Sequence, residues 1–524
     1  MSGLVGAAGD TATATAADLD PGPRIPRPGR RGPRDPWIEQ WDPDDEVFWE
    51  TTGRRIAKKN LSLSMFSEHI AFGVWVVWTI VVLNLVHAGI KMSVSELFEL
   101  TLVPNLIGSV LRIPYTLAVL RLGGRAWTVI SASLLAVPAL LLALVVPSAW
   151  LAHQAHGTQF WVLLACAATA GVGGGNFASS MTNISFFYPE KEKGWALGLN
   201  AAGGNLGVAT AQLLVPLVLI VGVPSALVKL TAHPVHLAYA GWIWVPLLVA
   251  GGAAAWLWMD SIGHSRGEAT SYLEALRYRH TWIISLLYIG TFGSFIGMSF
   301  ALPLVIKNTF PEFLAGHPFI ATYLAGLGFL GALTGSLSRP VGGWLADRVG
   351  GARVTVAVFA GMGAFTMVAI VAVDHRSFAL FLGSYIVVFV LTGMGNGSVY
   401  KMIPSIFATI GRSVAAGRGL VAGSAGAKAS AVEFKRRAAA VIGIAGAFGA
   451  FGGVLVQVVL RQASLGISAL EKAARTPADK VAIAAAHSAW SVPALWIFVS
   501  AYVVLGGLAW AVYVRPGGER MSGQ

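Results

Sequence analysis

From about residue 66 onward the chain alternates long apolar blocks with short polar breaks. The blocks fall near 66–89, 95–121, 127–148, 159–187, 194–222, 237–259, 282–306, 319–346, 353–373, 377–408, 438–460 and 488–514. Each is long enough, as a helix, to cross a hydrocarbon core of ~30 Å. Lipid offers no partners to unpaired backbone groups, so a spanning segment of this kind has to be helical. The pattern predicts an all-α polytopic membrane protein with twelve transmembrane helices.

The polar breaks divide the chain. Residues 1–62 are first rich in Pro, Gly and Arg (Pro21 to Pro36), then acidic and aromatic (Trp41 to Trp49). They read as a largely disordered cytoplasmic tail whose second part can lie at the membrane interface. The break at 260–281 is the longest in the first part of the membrane region and reads as a cytoplasmic linker between six-helix bundles at 63–259 and 282–514; residues 515–524 form a cytoplasmic C-terminal tail. An internal repeat supports this division. Span 2 carries Arg112, then eight residues, then Arg121-Leu-Gly-Gly; span 8 carries Arg339, eight residues, then Arg348-Val-Gly-Gly. Spans 4 and 10 match at nearly the same offset, Gly171-x-Gly173-x-Gly175 against Gly393-x-Gly395-x-Gly397. Two halves related as parallel repeats place a binding site at the midplane between them.

Composition agrees: 55% of residues are hydrophobic and only 12% charged, against about 25% charged in soluble domains. The net charge of +12 is explained by loop Lys and Arg rather than by nucleic acid. With the N-terminus inside, Arg121, Arg125, Lys191, Lys193, Arg266, Arg277, Arg279, Arg348, Arg353 and a basic loop from Gly411 to Arg437 all fall on the inner side, as the positive-inside rule requires. The expected location is the cytoplasmic membrane, with both termini cytoplasmic. No signal-peptide pattern opens the chain, and the lone Cys166 excludes an intrachain disulfide.

Arg112 and Arg339 are the sharpest chemical signal. Each lies inside an apolar span, where a charge costs about 2.5–3.5 kcal/mol even on an insertion scale. Guanidinium stays protonated and cannot escape that cost by neutralising. No carboxylate is expected at depth to pair with them: Glu96, Glu99 and Asp347 sit at span ends, and Glu68 at the start of span 1. Two unpaired cations at repeat-equivalent positions call for an anion from solution. The alternative is bonding to carbonyls or snorkelling to the interface. A planar donor fork suits a flat oxyanion such as nitrate, nitrite or a carboxylate.

Glycine runs (Gly171 to Gly175, Gly198 to Gly207, Gly393 to Gly397, Gly443 to Gly453) permit close helix contact, either for rocking or for static packing. Lys401 is a third apparent intramembrane cation, facing either the cavity or the cytoplasmic end. Asn176, Asn183 and Asn205 can hydrogen-bond substrate or a neighbouring helix. His153, His156, His233 and His236 lie in loops and read as solvated, so no metal or other cofactor is expected, and nothing catalytic converges in the spans.

At these residues the chain resembles the nitrate/nitrite porter family of the major facilitator superfamily. The stretch Gly173 to Pro189, continuing from Lys193 to Val208, is similar to one signature of that family, and Gly393 to Pro404 to the second. The resemblance runs from about 64 to 514. It implies the major facilitator fold and an anion held between Arg112 and Arg339. It further implies aromatic rings at Phe72, Phe177, Tyr288 and Phe292, and a polar contact from Asn205. The Arg121 and Arg348 loops resemble the superfamily's gating motif, and Gly173, Gly175, Gly203, Gly395 and Gly397 fall in the implied gating and packing positions.

The function expected is secondary transport of nitrate and nitrite by alternating access, by a protein that is not an enzyme and whose contacts are its anions and membrane lipid, as a monomer and with no nucleic acid. Two facing cations repel when the site is empty, and an anion permits closure. Such a carrier is an exchanger. Proton-coupled nitrate symport, with Glu68 and His69 as coupling candidates, and carriage of another small anion are the alternatives.

Overall fold

The computed structural model describes residues 37–220, 235–263, 273–421, 423–473 and 489–515. Among the described residues, eleven helices are long and apolar enough to cross a membrane. In chain order they are α1 (Glu46–Ala88), α2 (Val94–Leu122), α3 (Gly124–Leu144), α4 (His156–Phe187), α5 (Lys191–Leu219), α6 (Tyr239–Trp258), α7 (Arg279–Thr309), then α9 (Gly351–Asp374), α10 (Phe378–Gly417), α11 (Ala425–Leu470) and α12 (Val492–Val514). Helix α8, Phe329–Val349, is the twelfth; it carries Arg339 and is less apolar. The repeat shows in the packing, since α2 lies on α4 as α8 lies on α10. The halves α1–α6 and α7–α12 meet chiefly along α2 with α11 and α5 with α8.

Local sequence explains the element ends. Ser93 and Glu96 form a capping box at the start of α2, which satisfies first-turn amides. The repeated Arg-x-Gly-Gly is a helix stop. Gly123 after α2 and Gly350 after α8 have φ of 81° and 95°, a region glycine enters without steric cost. The next helix starts at once.

Three boundaries differ from the sequence reading. Of the tail assigned to 1–62, residues 1–36 lie outside the described residues, but from Trp37 onward the chain is built into the first half. Trp37–Ile38 pairs in parallel with Ser261–Ile262 after α6, and Trp41 donates to Phe186 O at 3.0 Å. Trp49 and Arg54 both bond Glu192, at 3.1 and 2.9 Å, and Lys59 and Asn60 hold the buried Asp260 at 2.6 and 3.0 Å. Hydropathy missed this because aromatic anchors alternate with charges. Second, the basic stretch from Gly411 to Arg437 is mostly helix: α10 runs to Gly417 and α11 starts at Ala425, alanine-rich sequence sustaining both beyond the apolar core. Third, the segment before α8 holds two short helices, Pro311–Gly316 and Pro318–Tyr323, with Gly326 at φ 67° before the span proper.

Contacts across the two halves gather on the face away from the termini. There Thr101 donates to Gln457 at 2.8 Å, Arg461 to Glu99 at 2.9 Å, Gln212 to Ser299 O at 2.6 Å and Lys307 to Leu83 O at 3.0 Å, and Trp75 packs edge-on to Phe300 at 5.1 Å. Toward the termini the halves part around a cavity of about 650 Å³, lined from one side by Ser185 and Lys193 and from the other by Pro404, Arg412, Phe434 and Ile442. The halves are thus tied together on one face, beside a smaller cavity of about 450 Å³ lined by Leu83, His87, Leu219, Pro303 and Lys307, and held apart by the larger cavity toward the other.

Candidate functional site

Arg112 and Arg339 both lie in the midplane seam and are 0% and 2% exposed. Such burial demands compensation. Arg112 finds part of it in backbone: Nε donates to Gly174 O at 3.2 Å and Nη1 to Gly446 O of α11, in the other half, at 2.6 Å. Arg339 Nη2 donates to Tyr288 OH at 3.1 Å. One amino group on each remains unpartnered, Arg112 Nη2 and Arg339 Nη1.

Aromatic rings complete the cage. The Arg112 guanidinium stands 4.5 Å from the Phe177 ring centre and 5.1 Å from that of Phe292, and Arg339 stands 5.8 Å from Phe177 and 5.1 Å from Tyr400. One ring therefore serves both cations, whose centres are no more than about 10 Å apart. Cation–π attraction grows where water is excluded, to about 2 kcal/mol. Tyr288 immediately precedes a π-helical turn of α7, Ile289–Gly293, and Phe292 lies within it; their rings are stacked at 5.2 Å with an interplanar angle of 2°. A π turn inserts one residue and re-aims the side chains beside it.

The residues singled out in the sequence fall as follows. Arg112, Arg339, Phe177, Tyr288 and Phe292 converge directly. Phe72 joins through Phe177 at 6.1 Å. Asn205 is 1% exposed with neither amide atom partnered. Gly173, Gly175 and Gly203 seat against Ala71 O, Tyr115 and Met65, and Gly395 and Gly397 against Thr291 and Arg339 O. Every one of these close approaches is within one half, so they fix each bundle internally. Arg121 and Arg348 are exposed at the helix stops, Arg348 lying 4.0 Å from the Trp344 ring. Lys401 is no deep cation: it pairs with Asp347 at 2.9 Å, and both are about half exposed.

Two features escaped the sequence. Tyr400, next to Lys401, packs 4.6 Å from Tyr288 and donates to Ile442 O at 3.2 Å; its place inside the second signature motif was the available signal. The larger correction is Glu68. It does not sit at a span start but well inside α1, 1% exposed, because the helix begins at Glu46, some twenty residues before the apolar block. The expectation of no carboxylate at depth is thereby overturned.

A site of two buried guanidiniums, each with an amino group to spare, set among rings at the seam of two repeated six-helix halves defines a membrane carrier for a small anion. The comparisons agree. The Major Facilitator Superfamily model matches residues 63–455. The nitrate/nitrite transporter NarU of Salmonella typhimurium is 39% identical, covering 71% of this chain and 79% of that protein. NarU of Escherichia coli is 36% identical over 80% and 88%, and the probable nitrate/nitrite antiporter NarK2 of Thermus thermophilus 34% over 71% and 83%. Among solved structures, a bacterial homolog of the human lysosomal transporter Spinster aligns with TM-score 0.58 at 14% identity over 86% of this chain and 95% of that one. The nucleoside transporter NupG aligns with TM-score 0.53 at 12% identity over 87% and 98%; both share the fold. The chain belongs to the nitrate/nitrite porter family of the major facilitator superfamily.

Proposed function

We propose that this protein carries nitrate and nitrite across the cytoplasmic membrane by alternating access, exchanging one for the other. The observation that carries the reading is the pair of unpartnered amino groups, Arg112 Nη2 and Arg339 Nη1, buried around the shared Phe177 ring. A flat anion between them accepts from both and neutralises their repulsion, which lets the halves close. Phe72, Phe177, Tyr288 and Phe292 exclude water around it, and Asn205 offers an unsatisfied amide. The names of the relatives supply nitrate and nitrite, and antiport for one of them. The face bearing Arg121, Arg125, Lys191 and Arg348 is the cytoplasmic one, with both termini. The carrier works as a monomer in lipid.

Counterflow tests this. Proteoliposomes loaded with nitrite take up labelled external nitrate at symmetric pH with protonophore present, and empty vesicles do not. Nitrate uptake of equal rate into empty vesicles overturns exchange; no anion flux in any format overturns the carrier reading.

A further inference from the structure

Of the two buried carboxylates among the described residues, Asp260 is ion-paired with Lys59. Glu68 has no cationic hydrogen-bond partner. Its Oε2 accepts from Ser180 at 2.5 Å and from Asn200 at 3.0 Å, Ser180 is further linked to Ser64 at 2.9 Å, and Oε1 has no partner. Glu68 borders a polar crevice of about 20 Å³ with Ser67, Trp127, Asn176 and Asn183. One turn further along α1 is Phe72, on the same face, which packs on the Phe177 ring that lies under both guanidiniums. The charged groups acting on the carboxyl are Arg112 of α2 and Arg339 of α8.

Glu192 and Asp260 meet α1 at its polar end, through Arg54 and Lys59; among the described residues the other elements packed around the carboxyl bring uncharged groups to it. Tyr115 is the other titratable group of α2 nearby; α3, α4 and α5 contribute Thr128, Ser131, Asn176, Ser180 and Asn200; α6 meets the helix through Gly251 and Trp244. On the C-terminal half Tyr288 and Tyr400 flank the arginines. His69 of α1 is held by its Nδ1 at Gly203 O, 3.0 Å away.

We propose that Glu68 is the proton-binding member of the anion site: it takes up one proton from solution as the anion binds and returns it when the anion leaves. The proposal rests on the anion reading of the site. An ionised Glu68 and a bound anion draw on the same two positive charges. Each therefore weakens the other, and by reciprocity a proton on Glu68 and an anion between the arginines strengthen each other by one common factor. The balance is simple. With Glu68 ionised and the site empty, the three groups sum to +1; with the proton and a monovalent anion both bound, they again sum to +1.

The test is equilibrium binding of nitrate to the purified full-length protein between pH 5 and 8, with proton uptake followed by an indicator in weakly buffered solution. In the parent, affinity rises as pH falls, by up to about tenfold per unit in the linked range, and nitrate addition draws protons from solution. Glu68→Gln binds nitrate with the parent's low-pH affinity at every pH and takes up no proton. Should that variant fail to reach the membrane, Ser180→Ala keeps the carboxyl but removes a donor to its charged form, and moves the binding profile to higher pH. A pH-flat parent, a Gln variant that keeps the parent's slope, or an unmoved Ala profile overturns the proposal while leaving the anion site standing. Absence of nitrate binding at every pH overturns both.

Discussion

Arg112 donates to carbonyls on two helices, Gly174 O in its own half and Gly446 O in the other, and three rings approach it: Phe177, Phe292 and Trp75 at 5.8 Å. Arg339, its repeat-equivalent, donates to a single phenol hydroxyl, Tyr288, in its own half. The same residue at the same repeat position is thus a structural tie in one half and a lightly held donor in the other. Sequence symmetry identifies the pair, but it does not divide their labour. Arg112 ties the two halves across the seam; Arg339 makes its one hydrogen bond to a side chain of its own half.

The lysine variants should separate these roles most strongly. Arg112→Lys loses the fork, a nitrate contact and two carbonyl bonds at once. Each charged hydrogen bond lost is worth about 1.5–3 kcal/mol, so nitrate affinity falls by at least about tenfold, and thermal stability in detergent falls with it. Arg339→Lys loses a comparable amount of affinity with little change in stability. Equal stability losses in the two variants would break the comparison, and parental nitrate affinity in either would remove that arginine from the site.

Phe177→Leu tests the shared ring. Both arginines lose the same face, so the apparent nitrate constant rises by a factor corresponding to about 1–2 kcal/mol, with membrane expression retained. A constant unchanged from the parent's would return Phe177 to plain packing. Tyr288→Phe sharpens the contrast from the other side. It removes only the hydroxyl holding Arg339, leaving the stacked ring, and weakens nitrate by up to about tenfold. Its effect should be non-additive with Arg339→Lys and additive with Arg112→Lys; a double-mutant cycle on nitrate affinity reads this directly. The smallest effect belongs to the tied face. Glu99→Gln weakens a part-exposed pair with Arg461, worth at most about 1 kcal/mol. It should raise the reactivity of a cysteine placed in the seam toward a reagent added on the face away from the termini, with nitrate affinity unchanged.

Much of this was legible in the chain. Apolar block length marks nearly every span, and the Arg-x-Gly-Gly repeat marks both the halves and the helix stops, because a tight reversal needs the left-handed glycine. Arg112 and Arg339 stand out since an unneutralised charge in an apolar block has few explanations. Glu68 was misjudged for a related reason. Hydropathy reports where polar residues end, and the first helix starts in polar sequence, so a carboxylate about six turns in looked like one at the edge. The carbonyl of Gly446 carries no side-chain signal at all; only the crossing of α2 and α11 makes it a ligand of Arg112. Lys401 shows the converse: alone in an apolar stretch, yet pairing with Asp347 where α8 and α10 both reach the surface.

The segment from Trp37 to Arg54 is joined to Ser261, Phe186 and Glu192, all belonging to the α1–α6 half. It works as a splint across the foot of that bundle. A splinted bundle resists bending at its loop ends, so reorientation should be carried mainly by the other six helices swinging against it. For anyone measuring that swing, probes on the splint supply a fixed benchmark, and a probe on the hairpin between α10 and α11 supplies the moving hand.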